Sequence, residues 1–352
     1  MLRKIYRAIV PLCLHHILRR LYTFPSQAET FRKCYDERGI KYSFTFLFLD
    51  WAVSHFVVGA SPDDYFAYRF YEKNLRGKSQ FVTEDRLRFL NYCLNLRDKP
   101  EEELRIMGSK SVFDETFMDY TKRRIMYSEN LSWESFREFL REMGHVIIKP
   151  SSSGAGKGIY ILRADDDESE IARAYNSFAS RKHIIEEVLE QDGLLREVNP
   201  GTLNTIRINV LNINGRYEIQ NAALRTGQGS RPVDNISAGG LVSAIDVETG
   251  TVVSLFCDKL GRRLLRHPLT GTMLIGRKIP AWEKAKAIVL EGARRISSIY
   301  YTAWDLAVIK NEEVAVIECN TGGGFINQQS IEQVGLWKHY RECLKEIQSG
   351  RN

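Results

Sequence analysis

From His145 onward the apolar residues of this chain recur at every second position, after a first part in which they recur at helical spacing. This switch constrains the fold more than any other feature of the sequence. The runs HVIIKP, GIYILRA, HIIEEVL, TIRINVL, RYEIQNAALR, LVSAIDV, TVVSLF, LAVIK and VAVIECN are short and β-rich, as strands require. Asn214-Gly215 separates INVLNI from RYEIQ, and Glu248-Thr249-Gly250 separates AIDV from TVVSL. Hairpins and antiparallel sheets are therefore expected instead of a doubly wound parallel sheet. Upstream, DDYFAYRFYEKNL and EDRLRFLNYCLNL carry helical periodicity, and SWESFREFLREMG reads as a helix capped by Ser132 and closed at Gly144. One further helix, AWEKAKAIVLEGARRISSI, presents Ala285, Ile288 and Val289 on an apolar face. The fold class expected is α+β.

With 352 residues and 43% hydrophobic content the chain can bury a sizeable core in one to three lobes. Its net charge of +6 is a modest excess that suits anionic small molecules, and without a basic stripe interleaved with aromatics no nucleic-acid partner is expected. Six scattered cysteines without a C-x-x-C pair or a secretory leader indicate neither a zinc site nor a disulfide framework, so a cytoplasmic location is expected. The longest apolar stretches, near Ile9 to Leu18 and Phe44 to Ala60, are too short or are interrupted by Asp50 and His55 to span a membrane. Residues 1–24 mix Arg3, Lys4, Arg7, Arg19 and Arg20 with leucines and isoleucines. That pattern serves peripheral membrane contact at the cytoplasmic face, or a helix that covers the protein's own core and is broken at Pro11.

The run VIIKPSSSGAGKGIYIL places Lys149 at a strand end, then Ser153, Gly154, Gly156 and Gly158, then a second strand. Small residues there let backbone N–H groups approach phosphate oxygens. A P-loop and a dinucleotide-binding turn both lead into a helix, whereas here Lys157 is followed by Gly158 and the β-rich IYIL. A protein kinase puts its lysine after the glycine loop and needs H-R-D and D-F-G elements, which are missing. What remains is a flap between two antiparallel strands, preceded by a phosphate-binding lysine.

Near the other end, WDLAVIKNEEVAVIECN reads as two strands around a polar loop. If Ile309 pairs with Val314, Asp305 stands opposite Glu318, and the period of two sets Asn320 on the same face as Glu318. Two carboxylates in a cross-strand pair repel unless a cation lies between them, and carboxylate and amide oxygens suit magnesium that also meets substrate phosphates. Cys319 points to the opposite face and reads as a core residue.

In this order, the lysine and glycine flap, IIEEVLEQ, NTIRINV and the D…E-x-N hairpin resemble the ATP-grasp superfamily. DDYFAYRFYEKN, VDNISAGGLVSAIDVETG, HPLTG and IGRKIPAW bring the chain closer to its sugar-transfer-associated branch, found with polysaccharide biosynthesis. The resemblance implies two antiparallel-sheet lobes that sandwich ATP, behind a helical N-terminal lobe. The expected boundaries are 1–105 for the helical lobe, 106–185 for the small lobe with the flap, and 186–352 for the large lobe with the metal site. It implies ATP and Mg2+ as cofactors, with Lys149 and Lys110 as nucleotide lysines and Glu186, Glu187 and Val188 at the adenine hinge. Glu190 or Asp192 would reach the ribose. Arg207 and Arg225 would meet the γ-phosphate or an acyl phosphate, while Asp305, Glu318 and Asn320 would hold magnesium. Asp234, Asn235 and His267 are assigned to the acceptor pocket. The implied activity is a carboxylate-amine ligase acting through an acyl phosphate and joining an amino acid to a sugar or glycan precursor. Its rivals are a phosphotransferase on the same fold and a non-catalytic ATP-binding adaptor of a glycan assembly complex.

Overall fold

The computed structural model describes residues 2–37, 40–129, 131–151, 158–178, 182–191, 193–229, 234, 236, 239–259, 261–321 and 325–350. Side chains are described from residue 17 onward and, in the last of these segments, from 328. The chain opens with α1 (Leu2–Asp36), α2 (Phe44–Val58), α3 (Pro62–Ala67), α4 (Leu75–Lys78), α5 (Glu84–Asn91), α6 (Glu101–Gly108), α7 (Lys110–Thr116) and α8 (Met118–Thr121). α1 runs unbroken through Pro11 and Pro25, against the expectation of a break at Pro11. An interior proline costs a helix roughly 3 kcal/mol. At Pro25 the flanking rings offset that cost, since Phe24 and Phe31 stack on Trp51 of α2 with centroids 5.4 and 4.9 Å apart. Around them Leu47, Tyr65, Phe66, Phe70 and Phe81 close an aromatic core belonging to this lobe.

The small lobe follows as β1 (Ile125–Tyr127), α9 (Trp133–Met143), β2 (His145–Pro150), β3 (Tyr160–Arg163), α10 (Glu168–Ser177) and β4 (His183–Glu187), its four strands ordered β1-β4-β2-β3 and all antiparallel. α9 starts at its Ser132 cap, which accepts from the Ser135 amide at 3.1 Å, and stops at Gly144 with φ +71°, as its sequence requires. Phe136, Phe139 and Leu140 of α9 pack on Val146, Ile148 and Ile185, which covers one face of this sheet. Alternation along the strands then turns Lys149 and Glu186 to the other face.

The large lobe comprises α11 (Gly193–Val198), β5 (Thr205–Ile213), β6 (Arg216–Thr226), β7 (Leu241–Ile245), β8 (Phe256–Asp258), β9 (Arg263–Leu264), α12 (Trp282–Arg295), β10 (Tyr301–Ile309), β11 (Glu313–Asn320), α13 (Phe325–Glu332) and α14 (Trp337–Ser349). Its seven strands run β11-β10-β5-β6-β7-β8-β9, all antiparallel. The Asn214-Gly215 turn joins β5 to β6 with both residues at positive φ, +52° and +94°, as a tight hairpin needs. After β7 the expected strand TVVSLF is reduced to isolated bridges of Thr251 with Lys278 and of Val252 with Ile245, and ladder pairing resumes only at Phe256. Gly250 turns the chain there at φ +73° and the Trp282 ring seats against it, where a Cβ would come within 2.4 Å of the ring. Ile206, Ile208, Leu224, Trp304 and Leu306 bury the back of the sheet against Ala285, Ile288 and Val289 of α12. Phe113 and Phe117 of α7 and its neighbouring turn join that same core. Among the described residues no helix is long and apolar enough to cross a membrane.

Candidate active site

The front of the large sheet carries the acidic hairpin. Asp305 lies opposite Glu318, as the sequence implies, although at the loop end Ile309 pairs with Glu313 and not with Val314. A bulge between Asp305 and Leu306 reconciles the two registers: Leu306 pairs with Val316, so Ile317 is the extra residue. Asn320 Nδ2 donates to Glu318 Oε1 at 3.0 Å, which sets both side chains on one face, and Cys319 is buried in the core behind.

Neighbouring strands bring the cations. Arg207 stands opposite Asp305 on β5 and donates from Nε to Asp305 Oδ1 at 2.7 Å and from Nη2 to Oδ2. Arg225 of β6 donates from Nη1 to Asp305 Oδ2 at 2.7 Å and from Nη2 to Asp234 Oδ1 at 3.0 Å, while Thr205 donates to the other Asp234 oxygen. Burial opposes the Asp305 charge, but Arg207 and Arg225 outweigh it and hold this carboxyl well below the usual carboxylate range. Desolvation and the nearby Asp305 charge push Glu318 upward. Three carboxylates thus meet two guanidiniums. The surplus negative charge sits at Glu318, whose side chain is 42% exposed. Two carboxylates and an amide on one face, with a charge left to neutralise, match the hard oxygen donors that magnesium takes.

The front of the small sheet carries a second cluster. Lys149 Nζ pairs with Glu186 Oε2 at 2.5 Å, and Arg123 donates to the same oxygen from Nε at 3.0 Å. Burial opposes the Glu186 charge, and Arg123 and Lys149 overcome it, lowering this carboxyl to about 2. Arg123 extends farther, donating to the Val316 carbonyl at 2.7 Å and to the Ile317 carbonyl at 3.3 Å. These are the residues of the bulge beside Glu318, so a single guanidinium ties the lysine cluster of one sheet to the Glu318 strand of the other. Asp114 of α7 lies 3.5 Å from Arg123 and accepts from Tyr127 at 3.1 Å. Arg123, Asp114 and Tyr127 have no sequence signature: Arg123 sits in a TKRR run that reads as surface charge.

Lys110 is half-buried at the first position of α7, one helical turn before Asp114 and on the same side of the helix. Gly158 holds φ +75° against Pro150, where a Cβ would come within 3.0 Å; Ser153, Gly154 and Gly156 of the flap lie outside the described residues. The Glu187 carboxylate accepts the Arg124 amide at 3.0 Å, and Val188 is half-buried just past the end of β4. Glu190 pairs with Lys310 at the hairpin loop, and Asp192 and Asn235 lie outside the described residues. Buried His267 engages both ring nitrogens with backbone, Nε2 with the Gly227 carbonyl at 2.7 Å and Nδ1 with the Leu269 amide at 3.3 Å, so it braces the loop that follows Arg225. Ala223 and Ala244 continue the row of Asp305 and Arg207 across the sheet. They lead to clefts of about 270 and 340 Å³ beneath α13.

Residues 99–345 match the model of the sugar-transfer associated ATP-grasp family, and the chain belongs to that family. With membership come ATP and Mg2+ as the cofactors against which the site is measured. A search of characterised proteins found no relative by sequence. Among solved structures the chain is similar to the ATP-grasp ligase PsnB complexed with a phosphomimetic variant of its minimal precursor, Mg and ADP, at 15% identity and a TM-score of 0.44, covering 71% of this chain and 61% of that one. It is similar to D-alanyl-alanine synthetase A from Vibrio cholerae at 13% identity and a TM-score of 0.45, covering 70% and 66%. It is also similar to D-cycloserine synthetase DcsG at 12% identity and a TM-score of 0.45, covering 76% and 80%. The chain spans 61% of the length of PsnB and 66% of that of the Vibrio synthetase.

Proposed function

We propose that this chain is an ATP-dependent ligase that activates a carboxylate as an acyl phosphate and passes the acyl group to an amine, joining an amino acid to a sugar or glycan precursor. The observation that supports this best is the reach of Arg123, which sets a lysine suited to phosphates beside a carboxylate pair suited to magnesium. Lys149 and Lys110 would take the phosphates of ATP, and the segment from Glu186 to Val188 would take the adenine. Asp305, Glu318 and Asn320 would hold magnesium, which when bound supplies neutralisation of the phosphates. The substrate carboxylate oxygen attacks the γ-phosphorus as the bond to the ADP oxygen breaks, and the amine then displaces phosphate from the acyl carbon. Arg207 and Arg225, preorganised by Asp305 and Asp234, would stabilise charge developing on the transferred group. The acceptor would enter along Asp234, Asn235 and the loop braced by His267. Ala223 and Ala244 offer it a smooth floor towards the clefts beneath α13.

The test is ADP release from ATP and magnesium over a panel of amino acids and amino or uronic sugars, with Glu318→Gln alongside. Release that needs both a carboxylate and an amine and is lost in the variant supports the ligase. Stable phosphorylation of a hydroxyl acceptor without an amine overturns it in favour of a phosphotransferase. ATP binding without turnover on any acceptor would favour the adaptor.

A further inference from the structure

Among the described residues, large apolar side chains are exposed along residues 253–275 and, aligned on one helix face, on α2. α2 has one buried face, with Leu47, Trp51 and Val58 packed into the aromatic core of the first lobe. Its outward face carries Phe46 (56% exposed), Leu49 (60%), Val53 (53%), Phe56 (39%) and Val57 (53%). The spacing i, i+3, i+7, i+10, i+11 aligns these five in one stripe. Ile17, Leu18, Leu21 and Tyr22 of α1 are exposed as well, and Phe24 meets Phe56 with ring centroids 5.2 Å apart, so the two helices present one continuous surface.

The charges around it have one sign to spare. Asp50, the only acid of α2, is held by Lys78 at 2.5 Å, and Asp85 is held by Arg19 and Arg20 at 3.1 and 2.6 Å. The chain has no acid before Glu29, while Arg3, Lys4 and Arg7 lie in the first turns of α1 and Lys41 precedes α2. A contact between two copies through a twofold axis would set this cationic segment against itself. An anionic bilayer complements it. α2 has 15 residues and is about 22 Å long, short of a hydrocarbon core of roughly 30 Å. It can therefore lie in the interfacial layer but not span it.

We infer that the outward stripe of α2, continuous with α1 from residue 17, is a membrane-docking face that seats the helical lobe on bilayers containing anionic lipid. Residues 17–24 belong to the segment for which the sequence suggests peripheral membrane contact, and α2 supplies the rest of the face. The inference is independent of the ligase reading. The full chain is to be sedimented with vesicles of phosphatidylcholine alone and of phosphatidylcholine with phosphatidylglycerol, beside the double variant Leu49→Asp/Val53→Asp and the milder Leu49→Ser/Val53→Ser, with thermal melting as the control for folding. The wild type is expected to sediment with the anionic vesicles only and less at high salt. The acidic pair is expected to lose binding by on the order of a hundredfold and the serine pair by about tenfold, both with unchanged melting. Wild type that stays in the supernatant with both vesicles overturns the inference. Folded variants that bind as the wild type does also overturn it, because residues 1–24 would then suffice. A dimer that the variants convert to monomer, without vesicle binding, makes the stripe a self-interface instead.

Discussion

The two sheets each carry half of the proposed site, and they hold their charges by different means. In the large sheet Asp305, Arg207 and Arg225 sit on the adjacent strands β10, β5 and β6 and are aligned by backbone register, so the ladder itself fixes their geometry, and Asp234 joins them from the segment between β6 and β7 through Arg225. In the small sheet Lys149 and Glu186 are neighbours on one face, but the third member, Arg123, comes from the segment between α8 and β1 and binds backbone carbonyls of the other lobe. The first half behaves as a rigid plate, while the second depends on one buried side chain. A site between lobes can thus be built rigidly on one side and adjustably on the other.

Asp305→Ala should break this contrast hardest, because it takes from Arg207 its main partner and from Arg225 one of its two carboxylates; melting or urea titration should show a loss of about 3 kcal/mol together with all activity. Glu318→Gln, at the exposed end of the same pair, should leave stability within about 0.5 kcal/mol yet lower turnover on the order of a thousandfold by weakening magnesium. Equal stability losses in the two variants would contradict the account of the plate. Arg123→Leu should cost about 3 kcal/mol, since Glu186 is left buried without its second cation, and should raise the KM for ATP more than Asp114→Asn does. Lys149→Met, which spares the bridge between the lobes, should weaken ATP about tenfold to a hundredfold. Gly158→Ala should have the smallest effect, about 1 kcal/mol from its left-handed backbone, with a severalfold rise in the KM for ATP.

The two halves should also part with pH. Glu186 is lowered from 4.5 to about 2, so its pairing stabilises the fold fully above about pH 4.5 and is lost as pH falls toward 2. Glu186→Gln should flatten the acid limb of the stability curve. Glu318 is raised, so protons should compete with magnesium there at higher pH than at an ordinary glutamate, and the apparent magnesium affinity should fall earlier on acidification than stability does.

Most of the large-sheet half could be read from the chain because local rules set it. Alternation with an Ile309–Val314 pairing puts Asp305 against Glu318; the loop is one residue shorter than that, with Ile309 against Glu313, and a bulge that no local pattern marks shifts the register back so that the expected pair still forms. Cys319 was legible as core for the same reason. Arg123 was not legible, because its role arises from packing between segments about 190 residues apart, and an arginine beside three other cationic or polar residues reads as solvated. Pro11 misled in the opposite direction. Local propensity ends a helix there, whereas α1 continues through it and on through Pro25, where Phe24 and Phe31 stack on Trp51. The strand expected at TVVSLF is shortened to bridges at Thr251 and Val252, beside the Gly250 turn against which Trp282, 32 residues on, seats its ring.

The central claim is that the two sheets together bind magnesium and ATP, and calorimetric titration of ATP into the full chain, with and without magnesium, tests it most directly. The account predicts binding that strengthens with magnesium in the wild type, loses that dependence in Glu318→Gln and weakens overall in Lys149→Met. Absence of binding, or affinity indifferent to magnesium and to both substitutions, would contradict it.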